Sequence, residues 1–512
     1  MTTIHPLFPP QLWKHFEMLL KTPRGSGNTK EIAEKVFQFG NSLKYETIRD
    51  EVGNVLIRKP ASAGKEDSPY VCLQCHLDMV CEKSPKVDLD MTKCEITPVV
   101  VEDGEFGPKL MAKDTTLGAD DGIGVATVLA ILEDKDLIHG PLECLFTIDE
   151  EVGMVGARGI KPGFLKSNLL VNLDSEEDWR ITVGCAGGFN VDHTLPIEVE
   201  KDVNSLEGCE AIHVSISDCM SGHSGCEIHL GRLNPIIALG RLLRRVEKNG
   251  VELRLAMIAG GTKRNVIPAD SKAIIIVKKE ENEKVLDIME VEWNAIREEC
   301  EAIEPNVKME AIVVSMPSDP SAVLTKESSH KLLSAVITSP HGVLRMSPVV
   351  PGLVESSINF FSVRLNPESS TAASSEASSS SAASSSIVLS FFARSSSDSQ
   401  LDLIWEQLLA RCELLGMTSG PQQNFYHGWQ PDTSTSLFKA TDKAFREAHG
   451  KEPEIYAVHA GLECGILSGA LEGLKCISLG PYVTSPHTTQ ESLHLKSIKP
   501  FYDTVKNLLK EL

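Results

Sequence analysis

Three runs dominate what this chain can fold into: SPYVCLQCHLDMV (68–80), GPLECLFTI (140–148) and SNLLVNLD (167–174). They are strand-like and apolar on both faces. A strand of that kind must be covered on both sides, which is the mark of a mostly parallel sheet wrapped by helices. Helical patterns precede them, in PQLWKHFEMLLKTP and TKEIAEKVFQFGNSL, and VGNVLIRK adds another strand.

The pattern then changes. Glycines in GCAGG (184–188) interrupt it, and a stretch of clear apolar–polar alternation follows in AIHVSIS, ADSKAIIIV, KMEAIVV, VESSINFFSVRL and IVLSFFAR. Helical stretches such as NPIIALGRLLRRVEKNG lie between these strands, so an α+β domain is expected. After about residue 428 the first style returns in TSTSLFKATDKAFREAHG, GLKCISLG and SIKPFYDTVKNLLKEL. The expected organisation is therefore one α/β domain from 1–186 and 428–512, with an α+β domain, 187–427, inserted into it. A serine-rich run, 367–386, joins two strand-like segments of the insert. It has too little apolar surface to order itself and is expected to be a disordered hairpin loop without chemistry.

Composition excludes some partners. The net charge of −21 disfavours nucleic acid and anionic membranes, because phosphate binding needs a basic surface. No apolar run has transmembrane length, and the N-terminus lacks the basic-then-apolar order of a signal peptide. The 13 cysteines follow no framework spacing, which fits reduced thiols in a cytoplasmic protein. Cys72, Cys75 and His76 spell the C-x-x-C-H of haem attachment. Residues three apart on a strand face opposite sides, so buried thiols are the better reading.

Candidate chemistry gathers at the ends of the strand-like runs. His76 is followed by Asp78, and residues i and i+2 share a face of a strand, so the carboxylate can orient the imidazole. Asp120 and Asp121 open a small-residue helix. Glu150 and Glu151 follow one apolar run, Asp174 ends another, and His487 lies in a loop after a third. Taken singly, these fit polar strand ends, helix-cap acids or a loop histidine equally well. Together they fall on the sheet edge where open α/β folds bind ligands, and the set suits two zinc-like divalent ions sharing one carboxylate.

The stretches HLDMV, LGADDGIG, DEEVGMVGA, LDSEE, GHSGCEIH, PGLVESSIN, ARSSSDS, HAGLECG and GPYVTSPHT, spread over residues 76 to 488, resemble the M20 metallopeptidases, and within them the aminoacylhistidine dipeptidases. The resemblance implies an α/β catalytic domain with an inserted lid and hydrolysis of small dipeptides by metal-activated water. It implies that His76 and Asp174 hold one metal, that Glu151 and His487 hold the other, and that Asp120 bridges them. Asp78 would orient His76 and Glu150 would be the general base. The metals would be zinc, with manganese or cobalt as alternatives.

In the lid, His223 would stabilise the oxyanion, Arg394 would pair with the substrate carboxylate, and Asn265 would bind the substrate backbone. His459 and Glu463 would line the pocket. The family's lids commonly dimerise, which implies a homodimer, and the insert is long enough for two lid units in tandem. Ser221 and Cys226 stand where the family pattern has glycine. Two other readings are an aminoacylase or tripeptidase of the same family and a non-catalytic peptide- or metal-binding relative. The intact Glu150 argues against the second, since binding needs a ligand but no base.

Overall fold

The computed structural model describes residues 7–93, 95–104, 106–317, 323–366 and 386–512. Two units emerge, one built from 1–185 and 427–512 and the other from 186–426. The serine-rich expectation at 367–385 lies outside the described residues, while Ser386 opens a strand.

In the first unit, strands β1 (Glu46–Arg49), β2 (Val55–Lys59) and β3 (Val71–His76) precede a hairpin of β4 (Pro98–Asp103) and β5 (Gly107–Ala112). Then come β6 (Leu142–Thr147), β7 (Leu169–Asn172) and β8 (Arg180–Cys185). The main sheet has eight strands in the order β1, β2, β6, β3, β7, Lys475–Ser478, β8, Glu454–Val458. Its centre is parallel, from β6 through β3 and β7 to Lys475–Ser478, and β1 and β2 add antiparallel strands at one side. The double-faced apolar runs are the central strands: every residue of β3, β6 and β7 is buried.

Helices cover this sheet. Among them are α1 (Pro10–Leu20), α2 (Lys30–Ser42) and α3 (Ala119–Glu133), with Leu495–Glu511 near the C-terminus. Helix α3 is apolar nearly all round and buried from Gly122 to Leu132, as expected of a helix enclosed by its neighbours. Trp13 and Phe16 of α1 share its core.

Parallel register sets the site. Gln74 of β3 lies opposite Asn172 of β7, and His76 lies opposite Thr147 of β6. Two residues further along, β3 delivers His76 and the β7 chain delivers Asp174, while the β6 chain turns into Asp149, Glu150 and Glu151. One departure concerns His487. It does not follow a main-sheet strand directly but sits between the short strands Val483–Thr484 and Ser492–His494, which pair with each other and, through Ser492–His494, with β5 of a separate four-stranded sheet that ends in β4. Asp120 likewise comes from the start of α3.

The second unit is a ten-stranded sheet whose strand pairs are all antiparallel. The helix Pro235–Lys248 is capped by Asn234, whose side chain accepts from the Ile236 and Ile237 amides, and Asp398–Leu415 packs on Ser386–Ser395 and Gly187–Pro196. Among the described residues no helix is long and apolar enough to cross a membrane, and the 12 described cysteines are free thiols.

Gly480 follows the strand Lys475–Ser478 and abuts the residue after Asp174. A Cβ there would overlap the backbone carbonyl of Ser175. Gly480→Ala is expected to cost about 1–3 kcal/mol by overpacking and to loosen Asp174. Thermal melts with and without added metal check this; an unchanged melting temperature in both would refute the tight contact.

Candidate dimetal site

Asp120 stands at the centre. Its Oδ1 lies 3.1 Å from Nε2 of His76, and its Oδ2 lies 3.0 Å from Nε2 of His487. On the first side Asp174 Oδ1 is 3.3 Å from the same His76 nitrogen. On the second, Glu151 Oε1 is 2.9 Å from the His487 nitrogen. One carboxylate thus faces two matching sets, each an imidazole plus a second acid, and the ligand atoms within each set lie within 4.8 Å of one another.

These spacings fit metal. Nitrogen and oxygen ligands at about 2.0–2.2 Å from one ion sit roughly 3–3.5 Å apart. The charge balance fits as well, since Asp120, Glu150, Glu151 and Asp174 outnumber the two imidazoles. Burial would lower the His76 pKa, but Asp174, Asp120 and Asp78 outweigh it and raise it well above the ordinary value. Donating to the carboxylates of Asp120 and Glu151 pushes His487 up to about 11. Burial lifts Asp174 to about 7 against the pull of His76. Two divalent cations would supply the positive charge that this cluster otherwise draws from protons.

Asp78 has two tasks. It is buried, and its Oδ1 lies 3.4 Å from Nδ1 of His76, on the far side of the ring from Asp120. Its two oxygens also accept the amides of Glu150 (3.0 Å) and Glu151 (3.3 Å), and Ser26 donates its hydroxyl at 2.7 Å. Burial opposes ionisation here, but His76 and these donors bring Asp78 down to about 2. The same carboxylate therefore orients one imidazole and fixes the turn that presents both glutamates. Asp149 completes that turn in a left-handed conformation (φ 53°) and accepts the Gly27 amide at 2.7 Å.

Glu150 is partly buried. Burial, then the charges of Asp174, Glu463 and Glu151, raise its carboxyl well above the usual range against the pull of His76. A desolvated carboxylate is a stronger base than one in water.

Beneath the candidate ligands runs a buried polar row. Gln74 Nε2 donates to Glu463 Oε2 at 2.6 Å, Thr147 donates to the same oxygen at 2.7 Å, and Asn172 Nδ2 donates to Gln74 Oε1 at 2.7 Å. Ser478 donates to Asn172 Oδ1. Gln74 and Asn172 share a face with His76 and Asp174, two residues on. Glu463 is thus fully buried at the start of the helix Glu463–Ala470, where burial raises it to about 7. His459 is buried just past Glu454–Val458.

The remaining predicted residues belong to the second unit. His223 pairs with Val266 in a two-stranded ladder, and the Ser224 amide donates to the Asn265 carbonyl at 2.9 Å. The Gly225 and Cys226 amides donate to Nδ1 of His223 at 3.2 and 3.0 Å. That leaves Nε2 to carry the ring proton. Burial and the charge of Arg394 lower the His223 pKa to about 4. Arg394 is buried, with Nη1 3.2 Å from the Tyr426 hydroxyl and its guanidinium 4.3 Å over the Phe392 ring. Ser221 holds a left-handed φ of 58°, and its hydroxyl donates to the Ile267 carbonyl at 2.6 Å. The side chain that replaces glycine is thereby tied down beside His223.

Two further acids border the site: Asp121, read from sequence only as a helix-opening acid, and Glu176. Asp121 accepts the His76 amide at 3.1 Å and the Gly124 amide at 3.2 Å. Glu176 is a further acid, raised to about 8 by burial and by Asp120 and Asp174. The adjacency of each to a ligand (DD, DSEE) was the only signal available.

A helix-covered sheet with a parallel centre, beside paired imidazole–carboxylate sets, defines the class of α/β metallohydrolases. The chain belongs to the M20 metallopeptidase family. It is 33% identical over 512 residues, covering 100% of this chain and 99% of the relative, to a cytosol non-specific dipeptidase of Escherichia coli K12. A crystal structure of an aminoacylhistidine dipeptidase from Vibrio alginolyticus matches with a TM-score of 0.86 at 31% identity, covering 99% of this chain and 97% of that one. A tripeptidase structure from Staphylococcus aureus shares the fold, with a TM-score of 0.56 at 14% identity over 98% of this chain and 97% of that one. Residues 216–304 match a peptidase dimerisation domain.

His223 is expected to be neutral at pH 7 with its proton on Nε2, and to titrate near 4. Nitrogen NMR of histidine-labelled protein checks this. A proton on Nδ1, or titration above pH 6, would contradict it.

Proposed function

We propose that this chain is a dimetal dipeptidase that hydrolyses the peptide bond of small dipeptides, including Xaa-His and β-Ala-His types. The observation that carries the reading is Asp120, whose two oxygens face two separate imidazole–carboxylate sets. The names of the E. coli and Vibrio relatives support the substrate class. In this reading His76 and Asp174 hold one ion, Glu151 and His487 hold the other, and Asp120 holds both. Two bound ions, zinc or alternatively manganese or cobalt, would supply Lewis acidity that polarises the peptide carbonyl and acidifies water.

Glu150 takes a proton from the attacking water, for which its burial suits it. The same carboxyl then returns the proton to the leaving amine, so one residue serves as base and acid in turn. Asp78 keeps His76 oriented and the Glu150 backbone fixed during both transfers. In the second unit, the Nε2–H of His223 is a neutral donor suited to a developing oxyanion. Arg394 suits a substrate carboxylate, a bidentate task, and Asn265 the substrate backbone. His459 and Glu463 back the pocket. A homodimer is supported by the dimerisation-domain match, and a cytoplasmic location by the E. coli relative's name.

The test is hydrolysis of Gly-His and β-Ala-His by chelated protein, with and without added Zn²⁺, Mn²⁺ or Co²⁺. Activity should vanish on chelation and return with metal. Glu150→Gln should retain both ions by elemental analysis and lose about 10²–10⁴-fold in kcat. Near-normal turnover in that variant would reject Glu150 as the base. Asp120→Ala should hold less than one ion per chain and be inactive; two retained ions would reject the shared-ligand assignment.

A further inference from the structure

The segment that delivers Asp120 cannot hold itself. It runs into α3 through non-helical residues, with Asp120 at φ −77°, ψ 117° and Asp121 at φ −98°, ψ 32°, so its amides have no intrahelical acceptors. One carboxylate meets them. Glu491, 3% exposed, accepts the Leu117 and Gly118 amides on Oε2 at 2.7 and 2.8 Å. Its Oε1 accepts the Ala119 and Asp120 amides at 2.7 and 3.3 Å.

Arg24 holds the same segment from the other side. It is 2% exposed. Its Nη1 donates to the carbonyls of Leu77 at 3.1 Å and Asp78 at 2.8 Å, and its Nη2 donates to the Gly118 carbonyl. The Gly118 peptide is thus gripped at its N–H by Glu491 and at its C=O by Arg24. The fit admits only glycine: φ is 72°, and a Cβ would lie 2.6 Å from both Arg24 Nη2 and Met79 Sδ.

These contacts join three ligand-bearing segments. Arg24 binds the carbonyls just past His76. Both residues bind the loop before Asp120. Glu491 is four residues beyond His487, in the same connection between Val483–Thr484 and Ser492–His494. Neither side chain is directed at an ion or a substrate, since both Glu491 oxygens are taken by amides.

We propose that Arg24 and Glu491 form a positioning pair that sets the bridging Asp120 at the right separation from His76 and His487, so that the affinities of both ions depend on it jointly. This rests on the dimetal reading. Loss of residues that support metal ligands typically costs about 10–100-fold in affinity.

The experiment is Zn²⁺ titration of chelated protein against a chromophoric chelator, for the parent, Glu491→Gln and Arg24→Lys. Circular dichroism of the metal-free proteins verifies folding, and visible absorption of the Co²⁺ forms reports ligand geometry. Glutamine cannot accept from all four amides, and lysine cannot reach three carbonyls. Each folded variant should bind both ions about 10–100-fold more weakly, with an altered Co²⁺ spectrum. Should one variant fail to fold, the other decides. Parent-like affinities, or weakening of one ion alone, would overturn the positioning pair. A parent that binds fewer than two ions would instead overturn the dimetal reading.

Discussion

Like-charge repulsion is the constraint on which the first unit depends. Two unit charges about 4 Å apart repel by about 4 kcal/mol at an effective dielectric near 20, and this site gathers four carboxylates around Asp120. The geometry interleaves the signs. His76 touches Asp78, Asp120 and Asp174, while His487 touches Asp120 and Glu151. Each imidazole separates acids that would otherwise abut. The remaining excess of negative charge gives the cluster its demand for cations.

Such a cluster holds its shape only on a stiff base. The row Glu463, Gln74, Asn172 and Ser478 lies below the candidate ligands, each member hydrogen-bonded to the next. Connected buried networks of this kind rigidify a core and specify one arrangement. Above them, Asp78 and Asp121 bind backbone amides of ligand-bearing segments. The support is therefore side chain to backbone, which tolerates little drift because a misplaced buried carboxylate loses its donors at once.

Much of this was legible in the sequence. The apolar strands β3, β6 and β7, the change of style near residue 186 and its return near 428 follow from local periodicity. Of the candidate ligands, His76, Glu151 and Asp174 stood out because they end or directly follow those strands. Less was visible where partners are far apart along the chain. Glu491 binds amides more than 370 positions away, and Arg24 binds carbonyls in two separate segments. The four-stranded sheet that carries His487 was hidden because its last two strands are only two and three residues long. Glu463 read as a pocket acid, yet its burial depends on Gln74 and Thr147 from other strands.

The first unit is interrupted in sequence but not in space. Cys185 and Trp429 exchange backbone hydrogen bonds at 2.9 and 3.0 Å across the point where the chain leaves and re-enters it. On the ribosome, chains fold from the N-terminus as they emerge. His76, Asp120, Glu151 and Asp174 are therefore made long before His487 and Glu491, and a nascent chain carries four of the five proposed ligands throughout synthesis of the second unit. In the proposed assignment the full metal set therefore closes only after the whole second unit has been made and the segment bearing His487 has followed it.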